Sequence, residues 1–139
     1  MWTYEHTITT SATPEAVWAC YEDPARWPEW DREVRELILD RPFAAGAGGT
    51  LHLHELPPIP IRVTEAERLS GFRTETRMAD GTVIRFAHRL AGEAGGATRI
   101  THGVEIEGPS AGDAFGTTVA APVPGTMRKL ADVARAGDR

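Results

Sequence analysis

A single cysteine, Cys20, stands among the 139 residues, so the chain can close no disulfide on itself and cannot build a cysteine-based zinc site. Long apolar runs are missing as well. Nothing approaches the roughly 18 apolar residues of a membrane span, and the N-terminal MWTYEHTITT lacks both the basic start and the apolar core of a secretion signal. These absences predict a soluble, cytoplasmic protein. Positive charge is not in excess: 15 basic against 20 acidic residues give a formal net charge of −5, spread along the chain. No basic patch for nucleic acid or anionic lipid is therefore expected. No glycine-rich nucleotide loop, no G-x-S-x-G and no H-E-x-x-H occurs, and no cofactor is expected. Internal repeats and low-complexity tails are also missing. A chain of this length fits one domain, residues 1–139, that buries about two thirds of its unfolded surface.

The segment Ser11 to Asp31, SATPEAVWACYEDPARWPEWD, concentrates three of the four tryptophans. Ser11 or Thr13 can cap a helix that takes Pro14 at its first position and Glu15 in its first turn, where a missing N–H and a negative charge are both favourable. Val17, Trp18 and Tyr21 make one face of it apolar. Asp23 and Pro24 end that helix, and Ala25 to Trp30 reads as a second, short one. A strand, Trp2 to Thr9, precedes the pair.

Strands fill most of the chain beyond Asp31: Arg32 to Asp40, Thr50 to Leu56, Ile61 to Leu69, Phe72 to Met78, Val83 to Leu90 and Thr98 to Glu107. Turn formers in RPFAAGAGG separate the first two, the prolines of PPIP interrupt before Ile61, and Ser70 with Gly71 makes a turn. Asp80 and Gly81 mark a hairpin. Phe72, Thr74, Thr76 and Met78 share the even-numbered face, as do Ile84, Phe86, His88 and Leu90. Even can oppose even only across an odd loop, so a three-residue turn is predicted. In the last strand Ile100, His102, Val104 and Ile106 lie on one face and Arg99, Thr101, Glu105 and Glu107 on the other, the mark of a sheet with one covered face. Pro122, Pro124 and Gly125 should split the C-terminal helix into Gly112 to Ala121 and Thr126 to Ala136.

This order, with Ala12, Pro14, Glu15, Val17, Trp18, Asp23, Trp27, Trp30 and Asp31 standing as A-x-P-E-x-V-W, an acidic residue and W-x-x-W-D, and with Gly48 and Gly49 before a strand, resembles the START-like (SRPBCC, helix-grip) superfamily of polyketide cyclase/dehydrase and lipid-transfer type. The resemblance implies an α+β helix-grip fold: a curved seven-stranded antiparallel sheet wrapped around a C-terminal helix, with two short helices after the first strand. It implies a cavity between sheet and helix, so inward strand positions become candidate site residues. His88, His102 and His6 are the candidate catalytic residues, facing one cavity from adjacent strands; a hairpin centred near Gly95 sets His88 opposite His102. A neutral imidazole in an apolar pocket can shuttle protons, which suits enolisation, aldol cyclisation or dehydration. Tyr4, Phe72, Thr74, Thr76, Met78, Phe86 and Val104 are candidate ligand contacts. Trp27 and Trp30, packing anchors by size, become ligand contacts if one of them closes a cavity end, as the resemblance implies.

The expected function is binding of a hydrophobic small molecule, as a cyclase- or dehydratase-like enzyme on a polyketide-like or aromatic substrate. A non-catalytic carrier or sensor is the alternative, and an interaction module of the co-chaperone kind a third; a homodimer through an edge strand stays open. His52 and His54 point the same way on a strand but lack a third ligand, so no metal is expected. Arg73, Glu75, Arg77, Arg85 and Arg89 should form the solvated outer face.

Overall fold

The computed structural model describes residues 1–138. Seven strands, β1 (Trp2–Thr10), β2 (Val34–Leu39), β3 (Gly48–Leu53), β4 (Ile59–Glu67), β5 (Gly71–Arg77), β6 (Val83–Gly92) and β7 (Thr98–Glu107), form one antiparallel sheet in the order β1-β7-β6-β5-β4-β3-β2. Helices α1 (Pro14–Glu22) and α2 (Trp27–Trp30), joined by a 3-10 turn at Pro24–Arg26, come after the first strand, and α3 (Asp113–Ala120) with α4 (Val123–Gly137) closes the chain. This is the helix-grip α+β arrangement that the sequence implies.

Local chemistry accounts for the helix ends. Thr13 caps α1, its hydroxyl accepting from the Ala16 amide at 3.2 Å. The same residue is held by the far end of the chain, since Asp138 accepts from both its amide (2.8 Å) and its hydroxyl (2.9 Å). Asp23 ends α1 and caps the 3-10 turn through the Ala25 amide at 3.0 Å. The C-terminal helix is split as expected, but the second piece starts earlier than Thr126: Pro124 falls in the first turn of α4, where it has no hydrogen bond to lose.

The β5–β6 register sets Phe72 opposite His88 and Thr76 opposite Ile84, so even faces even. Ala79, Asp80 and Gly81 form the odd loop between Met78 and Thr82, with Gly81 at φ 90° in the region glycine favours. The turn expected at Ser70 and Gly71 lies earlier, over Glu67 to Ser70, closed by the Ser70 amide on the Glu67 carbonyl at 3.0 Å. Leu69 there has φ 66°, unusual for a branched side chain, and packs against the core. Several strand limits differ from those expected, β2 (Val34–Leu39) being shorter and β6 (Val83–Gly92) longer, because a strand extends only where a partner lies beside it. β3 stops at Leu53, opposite Val34, leaving His54 outside it. Pro60 is admitted to β4 because the β4–β5 ladder begins only at Arg62 opposite Glu75, so Pro60 has one neighbour to satisfy.

The apolar core lies between the inner sheet face and the helices and contains Val17, Trp18, Tyr21, Trp30, Phe72, Ile100, Val104, Ile106, Met127 and Leu130. On the outer face Arg85 pairs with Glu75 and Glu107, Arg73 with Glu105 and Arg89 with Glu5. Helix α3 lies so close to β1 that a Cβ on Gly116 would overlap the Trp2 ring, whose Nε1 donates to Asp113 at 3.2 Å.

Candidate functional site

Alternation and register put one row of rings across four strands. His6 is opposite His102, His102 opposite His88, and His88 opposite Phe72. His88 and His102 are only 8% and 5% exposed, while His6, on the edge strand, is half-buried. The His88 and His102 rings meet edge to face at 4.5 Å between centroids, and Phe72 stacks flat on His88 at 4.0 Å.

Tyr21 completes the cluster from the helical side. Its hydroxyl lies 2.7 Å from His102 Nε2, and its ring touches Phe72, His88 and Trp30. Sequence reasoning placed Tyr21 on the apolar face of α1 and missed its polar end, because nothing local announces a partner 81 residues away. His88 Nδ1 is the buried side-chain nitrogen left without a hydrogen-bond partner among the described residues. Such an atom ordinarily costs about 1–3 kcal/mol of stability.

Burial governs the ionisation of the cluster. Loss of water pushes the His88 imidazole down to about 3; the Phe72 backbone lies near enough to oppose the shift in part, but not in hydrogen-bond geometry with Nδ1. His102 is lowered well below the ordinary histidine range, first by burial and then by the nearby His88 and His6. Tyr21 is raised well above the usual phenol range, again by burial. Two neutral imidazoles and a protonated phenol therefore sit inside an aromatic shell. That set can accept, donate and pass protons without holding a fixed charge.

The other expected site residues divide by depth. Thr74 and Val104 are buried beside the cluster, one row along the sheet. Tyr4, Thr76 and Phe86 also face inward, yet they are half-exposed, as is Ile84, so the helices leave that end of the inner face partly uncovered. Met78 lies at the β5–β6 turn, away from the histidines. Trp27 and Trp30 sit in the core, their indole N–H groups donating to the Tyr21 carbonyl at 2.9 Å and the Cys20 carbonyl at 3.0 Å. They satisfy two open C-terminal carbonyls of α1, and Trp30 backs the Tyr21 ring.

A groove of about 730 Å³ runs between the helix pair and β2, with Pro24, Leu37, Leu39 and Phe43 along it, and a smaller one of about 400 Å³ lies outside the sheet near Arg89 and Arg99. Neither is lined by a histidine. His52 contacts Arg35 at 3.3 Å and His54 is exposed. Among the described residues no group of three or more histidine, cysteine or carboxylate side chains is placed to hold a metal ion.

The family model described as polyketide cyclase / dehydrase and lipid transport matches residues 1–135. No curated protein matches the sequence. Among solved structures, DynU16, a protein of the dynemicin biosynthetic locus, superposes with a TM-score of 0.77 at 19% identity over 97% of this chain and 48% of its own, so the chain spans about half of that neighbour. The Aha1 dimer from Colwellia psychrerythraea gives 0.72 at 13% identity over 95% of both chains. Ara h 8.0201 gives 0.74 at 10% identity over 96% of this chain and 97% of its own. At these identities the likeness is one of fold.

Proposed function

The chain belongs to the polyketide cyclase / dehydrase and lipid transport family, and from that premise we propose that it holds a hydrophobic small molecule against the Tyr21, His88 and His102 cluster and moves a proton on it, as a cyclase or dehydratase acting on a polyketide-like or aromatic substrate. The observation that carries the reading is the Tyr21–His102 pair at 2.7 Å beside a buried imidazole nitrogen with no partner among the described residues. A substrate enol or hydroxyl donating to His88 Nδ1 would satisfy that atom and recover its desolvation cost. The half-exposed inner positions Tyr4, Thr76, Ile84 and Phe86 offer apolar surface for the rest of such a molecule.

The chemistry rests on the tautomers. When His102 Nε2 carries its proton and donates it to the Tyr21 oxygen, the Tyr21 O–H is free to bond a substrate carbonyl and stabilise charge developing there. His88, neutral because it is buried, takes the proton from the adjacent carbon. An imidazole with a pKa near 3 is a weak base in the empty protein, but an enolate forming beside it raises its proton affinity by charge attraction. Returning the proton to an oxygen that leaves as water would complete a dehydration. Shape contributes the rest, since a flexible chain held in a reactive fold reacts as one molecule.

The test is turnover of candidate ketide substrates by the wild type, His88→Gln and His102→Gln, with binding measured separately. Turnover should fall by about 10²–10⁴-fold in a variant lacking the proton-moving group while affinity stays nearly intact. Equal turnover in all three removes the histidines from the chemistry. Binding without turnover in the wild type makes the protein a carrier.

A further inference from the structure

We propose that Phe43 is the gate through which a flat apolar ligand passes from the groove between the helix pair and β2 to the histidine cluster. The gate rests on the reading that a ligand meets His88, and adds the route. Phe43 lies in the Asp40 to Ala47 loop and is the one aromatic ring that lines the groove. Its other side lies edge-on to Phe72 at 5.1 Å and to Trp18 at 6.1 Å. Phe72 is the ring that covers His88. Two phenyl rings in series thus stand between an open groove and the unpartnered His88 nitrogen.

The loop is built to let the first ring move. Its backbone ties bracket Phe43 without including it: the Asp40 amide donates to the Gly48 carbonyl before it, and after it the Ala47 amide donates to the Ala44 carbonyl, the Gly46 amide to the Val63 carbonyl and the Val63 amide to the Ala47 carbonyl, at 2.7–3.0 Å. Phe43, between those ties and flanked by Pro42, Ala44 and Ala45, is seated by ring contacts that a small rotation of the loop can release. Edge-to-face pairs of this kind are worth about 0.5–1.5 kcal/mol each beyond the area they bury, within reach of a local opening. The groove rim carries Arg35 and Arg41 against Glu22, Asp23 and Glu36, an excess of one carboxylate that gives an anionic ligand no advantage. The slot left by Phe43 is edged by aromatic faces, which favours a planar ring.

Accessibility of His88 in the ligand-free protein tests the route without depending on turnover. Diethyl pyrocarbonate modifies neutral imidazoles, and peptide mass mapping gives its rate at His88 relative to exposed His54. Phe43→Ala, and Phe43→Leu should the first fold poorly, are expected to raise that ratio by about tenfold or more, as an eased local opening does. Phe115→Ala, which removes a half-buried ring from α3 on the β1 side, should leave it unchanged. Three results overturn the gate: an unchanged ratio in both Phe43 variants, an equal rise in Phe115→Ala, or a rise matched by the same acceleration of amide exchange in α4, which would report global destabilisation. A protein that never turns over a substrate can still pass this test, and an active enzyme can fail it.

Discussion

The hydroxyl of Tyr21, on the first helix, and Nε2 of His102, on the last strand, meet at 2.7 Å where water does not reach. Among the described residues neither polar atom has another side-chain partner, so removing one leaves the other stranded. Tyr21→Phe should cost about 1–3 kcal/mol in urea unfolding. Adding His102→Leu to it should cost much less than the two single losses together, because two apolar groups then face each other. Additivity within about 0.5 kcal/mol would mean that the contact carries no coupling.

The depressed histidines give the protein an acid limit. In the unfolded chain a histidine takes up its proton near pH 6.5, whereas His88 in the fold resists it down to about 3. Between those values the unfolded state binds more protons, so stability falls as pH falls. Wild type should therefore lose stability from about pH 6.5 to about pH 4 more steeply than His88→Gln, by up to about 1.4 kcal/mol per pH unit. Parallel curves would mean that the imidazole is hydrated in the fold.

Asp31 should show the opposite slope. It is partly buried, and loss of water raises its carboxyl to about 6 even though it accepts from the Glu33 amide at 3.0 Å. With the folded pKa above the unfolded one, the folded state binds more protons between about 4 and 6, and stability falls as pH rises through that window. Asp31→Asn keeps an acceptor oxygen and has no charge to bury. Its stability relative to wild type should improve between about pH 4 and about pH 6 and then level off, and a constant difference across that window would refute the raised carboxyl.

Gly116→Ala sets helix propensity against packing. Alanine favours a helix over glycine by about 1 kcal/mol, but its Cβ would overlap the Trp2 indole, and crowding of this kind costs about 1–3 kcal/mol. The ring is held by Asp113 and stacked on Tyr4 at 6.4 Å, so it cannot simply swing away. We expect net destabilisation with faster amide exchange confined to α3 and the start of β1. A more stable variant would place α3 farther from β1.

Much of the frame was legible because it depends on short periods. Alternation of two put His88, His102, Ile100 and Val104 on one face, and parity alone demanded the odd loop at Ala79 to Gly81. Ser11 or Thr13, Pro14 and Asp23 bounded the first helix through capping chemistry that needs no distant partner, and the structure takes Thr13 as the cap. Boundaries set by neighbours were not legible in this way: β3 ends where β2 begins, and the chain turns at Leu69 rather than at Gly71.

The candidate site divides along the same line. His88 and His102 could be aligned from spacing, since a hairpin register is a one-dimensional property of the chain, and His6 joined them only through the strand order that the family resemblance implies. Tyr21 and Phe43 could not, because the first reaches a strand 81 residues away and the second leaves a loop to meet Phe72 and Trp18. Backbone geometry over a few residues was enough to assign the apolar faces, the helix starts and the shared strand rows, and all of that is written in the order of amino acids. The phenol against the imidazole, the His88 nitrogen left without a partner and the phenyl ring closing the groove emerge only in the folded molecule, because such contacts arise when distant segments compete for the same buried volume.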